Sequence, residues 1–211
     1  GNFEKSLLIS RLALRKSIVM DDNVLIAKNY NNVAANYNDL AEFDKAIFYY
    51  NKALVFANFT QNDSIKQKVN NNLGNVYCFE KKAYEKGIHY YHKALEHSKK
   101  IPDSSQIAFT NLNIAWAFFD IGKFNQGERN LKMINSYYKK HNNDFIIVVL
   151  NMLNGMYCNY KNEDDKAKIY FEEAIRLGNK LNEKSDLSFS HLEYSKFLFK
   201  KKDYKKAYEN L

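Results

Sequence analysis

The chain has 211 residues, about the length of one large domain or two small ones. It is 45% hydrophobic and 27% charged, so it can bury a core, but its 7 Gly and 1 Pro are too few for the turns of an all-β fold. The same shortage argues against the glycine-rich loops of Rossmann and P-loop sites, and the net charge of +8 is spread along the chain.

The first residues lack the apolar run of a signal peptide. With no initiator Met, the chain is expected to be a piece of a longer protein, with Gly1 a cloning remnant. The longest apolar run, Phe145 to Leu150, is far short of the roughly 18 residues of a membrane span. No membrane contact is expected of this segment.

One string recurs in chain order. It opens at Phe3 (Ser6, Ser10, Ala13) and is clearest at Phe43, with Ala46, Tyr50 and Ala53. It returns as Tyr84, Gly87, Tyr91, Ala94, then as Phe124, Gly127, Leu131, Ile134. Asp164, Ala167, Phe171, Ala174 follow, and Tyr204, Ala207, Leu211 close the chain. The starts at 3, 43, 84, 124, 164 and 204 step by 40, 41, 40, 40 and 40 residues. Upstream of each later string lies a second helical pattern: Tyr30-Val33-Ala34-Tyr37, Asn70-Leu73-Gly74-Tyr77 and Asn111-Ile114-Ala115-Phe118. It is looser around Leu150, Leu153 and Tyr157, and resumes as His191-Tyr194-Ser195-Leu198. Asp22, Asp63, Asp103, Asp144 and Ser185 or Asp186 are the N-cap candidates, Asp103 following Pro102.

The chain is therefore predicted to be all-α, a string of antiparallel helix pairs A and B in a single 1–211 solenoid domain. A B helix over 3–20 precedes repeats at about 23–60, 63–101, 103–141, 144–182 and a truncated 185–211. Small residues (Ala34, Gly74 and Ala115 on A; Ala46, Gly87, Gly127 and Ala167 on B) let paired helices approach closely. Large aromatics fill the gaps to the next pair, and stability comes from stacking neighbours into a superhelix. Cys78 and Cys158 occupy like places two repeats apart, so no bond between them is expected.

This pattern resembles the tetratricopeptide repeat family over essentially the whole chain. The period is about forty rather than thirty-four, and the usual proline after helix B is absent except near Pro102. The run Asn71-Asn72-Leu73-Gly74-Asn75-Val76-Tyr77 is similar to long-helix arrays of kinesin light chains and bacterial peptide-sensing regulators. The resemblance implies a right-handed superhelix whose A helices line a concave groove, with a peptide or partner protein as ligand. It also implies that the family's carboxylate clamp is absent, because Asn31 with Ala35 and Phe109 with Asn113 stand in its places.

In that register Asn31, Asn32, Asn71, Asn72, Asn113 and Asn151 face the groove. An Asn amide both accepts and donates, so such a ladder can bracket the backbone of an extended peptide. Phe109, Leu112, Trp116, Phe119, Phe189 and Leu192 also face inward, as do Val148, Met152 and Phe199. Lys28, Asn38, Lys68 and Asn75 make the first half polar and leave the second apolar. The alternatives are a composition that simply favours Asn, and aromatics buried in the superhelix's own core.

Chemistry beyond binding finds little support. His89 and His92, with Glu85 and Glu96, fall on a solvated B-helix face, and no acid–base dyad or nucleophile signature occurs. A non-enzyme without cofactor or metal is expected. The lysines from Lys196 to Lys206 lack a recognition helix or stacking platform, so no direct nucleic-acid role is assigned. The predicted function is a protein- or peptide-binding module, the sensory or interaction segment of a larger bacterial signalling or transcriptional regulator. The alternative is a structural scaffold using outer surfaces or end helices, through which homo-oligomers could form. A cytoplasmic location is favoured, with a periplasmic sensor segment as the alternative.

Overall fold

The computed structural model describes residues 3–101, 104–141 and 144–211, with Phe145 described in its backbone alone. Among these residues there are eleven α-helices and one π turn, and no strand. They are α1 (Phe3–Val19), α2 (Asn23–Asp39), α3 (Phe43–Phe59), α4 (Asp63–Asn75) running into the π turn Val76–Glu80, α5 (Tyr84–Ser98) and α6 (Ser104–Asp120). Then come α7 (Phe124–His141), α8 (Asp144–Tyr160), α9 (Asp164–Leu181), α10 (Lys184–Lys200) and α11 (Tyr204–Glu209). None is long and apolar enough to cross a membrane. The described chain packs as two compact units, Gly1–Thr110 and Asn111–Leu211.

The turns explain how so regular a chain manages with so few glycines. Helices end on a residue in the left-handed region: Asp21, Ala41, Gln61, Lys82, Asn162, Asn182 and Lys202, with Gly122 the one glycine in that role. Each costs an L-residue about 1–2 kcal/mol of backbone strain. Hydrogen bonds offset it: at Ala41 the Glu42 N–H reaches Tyr37 O at 2.9 Å and the Ala41 N–H reaches Asn38 O at 2.9 Å. This double bond to the last carbonyls recurs at Asp21, Gln61, Gly122, Asn162, Asn182 and Lys202. The next helix begins two residues after each left-handed one, so consecutive helices fold back after very short turns.

The 41-residue step has a local cause. The π turn follows α4, where the Lys81 N–H bonds Val76 O at 2.9 Å and the Ala83 N–H bonds Tyr77 O at 2.7 Å. These wider loops absorb one extra residue without breaking the rod.

The N-caps partly depart from expectation. Asp22 Oδ1 accepts from the Val24 and Leu25 N–H groups, both at 3.0 Å. At α4 the cap is Asn62, not Asp63: its Oδ1 accepts from Ile65 N–H at 3.0 Å. Helix α10 begins at Lys184 after Glu183, which puts Ser185 and Asp186 inside the first turn. Asp144 is the first residue of α8. Pro102 and Asp103 lie outside the described residues.

Asp63 instead braces the pair α4–α5. Its Oδ1 lies 2.7 Å from His97 Nδ1 and 3.5 Å from Lys100 Nζ. The hydrogen bond from His97, with Lys100 nearby, holds the Asp63 carboxyl below the ordinary carboxylate range. A lowered folded-state value gives stability that is present above the unfolded value, about pH 3.9, and lost as pH falls through the folded one. Acidification from about pH 5 to 3 is therefore expected to lower the melting temperature of the native protein more than that of Asp63→Asn. Parallel pH curves for the two proteins would show that this contact does not contribute.

Packing follows the small-residue rule, with aromatics seated on it. Ala34, Ala46, Ala115 and Ala167 are fully buried. A Cβ on Gly74 would overlap the Tyr91 ring, one on Gly127 would lie 2.8 Å from the Phe119 ring, and one on Gly155 would lie 2.9 Å from the Phe171 ring. These aromatics thus fill space within a pair, where gap-filling between pairs was expected. Phe171 does both, since it also stacks on Tyr194 of α10 at 5.6 Å. The final helix is thinly covered: Tyr204 is 56% and Tyr208 82% exposed, against 3% for Tyr50. Cys78 is a buried free thiol and Cys158 a half-buried one.

Candidate functional site

In the first unit, Asn31 and Asn32 stand on α2 and Asn71 and Asn72 on α4. The Asn72 amide donates to Asn31 Oδ1 at 3.1 Å, joining neighbouring A helices one repeat apart. Beside them runs an open cleft of about 330 Å³ lined by Lys28, Asn31, Asn32, Ser64, Ile65 and Lys68. Asn32, Lys28 and Lys68 are exposed, while Asn31, Asn71 and Asn72 are half-buried. No carboxylate lines this cleft, so its field is positive. Ser64 and Ile65 were not expected to line it. They sit in the first turn of α4, ahead of the apolar repeat that guided the sequence reading.

Much of the asparagine elsewhere is structural. Asn36 donates to Ser10 Oγ at 2.8 Å and to Asn32 O at 2.8 Å. In the second unit Asn130 donates to Asn111 Oδ1 at 2.8 Å, and Asn135 and Asn154 exchange bonds of 2.9 and 3.1 Å. Asn151, expected on the groove, is 7% exposed and returns its amide to Ile147 O at 2.9 Å. That bond satisfies the donor within α8 itself.

The second unit places its aromatics differently from expectation. Trp116 of α6 is half-buried and meets Phe189 of α10 edge to face, ring centroids 5.0 Å apart. Phe189 and Leu192 are 42% and 40% exposed, and Phe199 is exposed, so an apolar surface exists there. Leu112 and Phe119, by contrast, are 4% and 2% exposed. Phe119 is committed to Gly127, to Phe124 at 4.8 Å and to Tyr157 at 5.9 Å. Val148 and Met152 are likewise buried, because α8 is apolar on nearly all sides and is covered along almost its whole length. Phe109 and Asn113 are half-buried. Of the apolar set, Phe189, Leu192 and Phe199 keep open surface, with Trp116 half-buried against Phe189.

The remaining polar clusters are ordinary surface. His89, His92, Glu85 and Glu96 are all exposed on α5. No group of three or more His, Cys, Asp or Glu among the described residues could hold a metal ion. The C-terminal lysines are largely engaged: Lys196 with Glu193 at 2.6 Å, Lys201 with Asp164 at 2.5 Å and Lys206 with Asp203 at 3.3 Å.

No protein-family model matches the chain, and no curated protein matches its sequence. Solved structures do match its fold. Aspartyl phosphate phosphatase F from Bacillus subtilis superposes with a TM-score of 0.82 at 15% identity, over 99% of this chain and 53% of that one. The quorum sensor NprR from B. thuringiensis, in its apo form, gives 0.79 at 18% identity, over 97% of this chain and 57% of that one. The fold is tetratricopeptide-like. A Rap protein complexed with competence and sporulation factor gives 0.72 at 16% identity, over 99% of this chain and 68% of that one. The tetratricopeptide-like chain thus spans little more than half the length of the first two proteins. At these identities the likeness establishes the all-α helical-repeat architecture, and the helix pairs described above are its repeats.

Proposed function

We infer that the chain is a protein- or peptide-binding module, the sensory or interaction segment of a larger bacterial signalling or transcriptional regulator. The observation that carries this reading is the Asn31–Asn72 bond beside the cleft of Lys28, Asn32, Ser64 and Lys68. The mutual bond uses one donor of Asn72 and one lone pair of Asn31, and an amide has further capacity for a peptide unit's N–H and C=O. The fold's likeness to a quorum sensor, and to a Rap protein solved with competence and sporulation factor, supports a ligand of signalling type. The surface of exposed Phe189 and Leu192 beside half-buried Trp116 in the second unit suits an apolar side chain. The chain's role is recognition, and the chemistry in the phosphatase's name is not carried over to it.

Calorimetric titration with a peptide isolated by pull-down on the native protein tests this. Replacing Asn72 and Asn113 by Ala is expected to cost about 1–3 kcal/mol of binding per peptide amide left unpaired, for many peptides alike. Trp116→Ala is expected to cost about 2 kcal/mol, and only for peptides carrying a large apolar residue. Trp116 is the sole tryptophan, so its emission reports both folding and occupancy in the same samples. Unchanged affinity in both folded variants would move recognition off these helices and favour the scaffold alternative.

A further inference from the structure

Helix α3 is flanked on both sides, by α2 and by α4, yet it exposes large apolar side chains along one line: Phe48 55%, Val55 62% and Phe59 76%. With Lys52 these positions step by four, three and four residues, which is the seam of a coiled coil. The equivalent positions of α1, forty residues earlier, are Leu8, Leu12, Arg15 and Val19, and its three apolar members are 59%, 57% and 81% exposed. Both helices pack against α2 and are antiparallel to it, so the two stripes run in the same direction. The later B helices supply an internal control. At the same places α5 has His89, Lys93 and Glu96, with Lys100 just past its end, and α9 has Ile169, Glu173, Arg176 and Lys180. The apolar stripe belongs to α1 and α3.

Charge selects the occupant. Arg15 and Lys52 lie within the stripes and Arg11 beside them, while the carboxylates that line the cleft beside Leu8 and Leu12, Glu4 and Glu42, lie off the stripes and Glu42 is paired with Lys45. A second copy of the chain would bring these cations face to face, which Coulomb repulsion opposes. We propose that the paired stripes of α1 and α3 are a docking seat for one amphipathic helix of a partner protein, with apolar residues at three–four spacing and acidic flanks. Knobs from the incoming helix enter the holes between Leu8, Leu12 and Val19 on one side and Phe48, Val55 and Phe59 on the other. Its carboxylates meet Arg11, Arg15 and Lys52. This surface differs from the Asn face, so the chain would hold a ligand and a partner at once.

The probe is a fluorescein-labelled synthetic helix of about 20 residues, with Leu at three–four spacing and Glu on both flanks, titrated against the native protein. Anisotropy is expected to show saturable binding, weakened about tenfold or more when the flanking Glu are all replaced by Lys. Val55→Ser with Phe59→Ser, at positions open enough to leave the fold intact, is expected to weaken it about tenfold as well. Met133→Ser on α7 serves as the exposed-apolar control and is expected to change nothing. Circular dichroism melts confirm that each variant is folded. Equal binding of the Glu and Lys helices, or a Val55/Phe59 variant as good as the native protein, overturns the proposal. So does stronger binding, through the same residues, to vesicles containing phosphatidylserine, or a native dimer that the double variant renders monomeric.

Discussion

Gly87→Ala is expected to destabilise the first unit by about 1–3 kcal/mol, at the upper end of that range. Gly87 is buried where α5 crosses the end of α4. A Cβ there would overlap Cys78 Sγ and lie 2.9 Å from both Cys78 N and Gly74 O. The sulfur belongs to a short side chain held in the π turn and the other two atoms are backbone, so none can swing aside. Urea unfolding read by circular dichroism measures the loss. Cys78→Ala in the Gly87→Ala background is expected to recover part of it, because the sulfur leaves while the two backbone contacts remain. A Gly87→Ala protein as stable as the native one would mean that α4 and α5 are not in this close contact.

Phe171→Ala is expected to cost the second unit about 3–5 kcal/mol, the usual penalty for emptying a buried aromatic site. The ring is 1% exposed, rests on the Gly155 backbone of α8, and meets Tyr194 and Phe197 of α10 at 5.6 and 5.7 Å. One side chain thereby ties three helices, and neither a glycine nor the stacked rings can close the hole. Urea unfolding should show the loss, and hydrogen exchange should quicken across α8 to α10 before α3 responds. A loss below about 1 kcal/mol would mean that the site collapses around the smaller residue.

Both predictions grow from residues whose type was legible in the sequence. The recurring string set out where small residues fall, and the glycine at 87 and the aromatic at 171 stand in it. The partner of Phe171 was not legible: Gly155 lies in the loosest copy of the pattern, where a run of apolar residues hides the helical period. The asparagines divide in the same way. Asn31 is bonded by Asn72, one place beyond its own equivalent Asn71, whereas Asn151 turns back to its own helix at Ile147 O. An Asn amide is equally content with a ligand, a neighbour or its own backbone, so composition cannot choose among them.

The sequence by itself determined the all-α class, the forty-residue period and the helix starts at Phe43, Tyr84, Phe124 and Asp164. These follow from local periodicity and from the steric rule that close helices need small residues at fixed spacing. Tertiary structure decided which aromatics are core and which are surface. Leu112 and Phe119 vanish beneath neighbours while Trp116, Phe189 and Leu192 stay partly open. It also decided that Phe48, Val55 and Phe59 remain bare on a fully flanked helix. Burial depends on which face a neighbour covers, and that is set by the crossing of helices distant in the chain, not by the residues of any one of them.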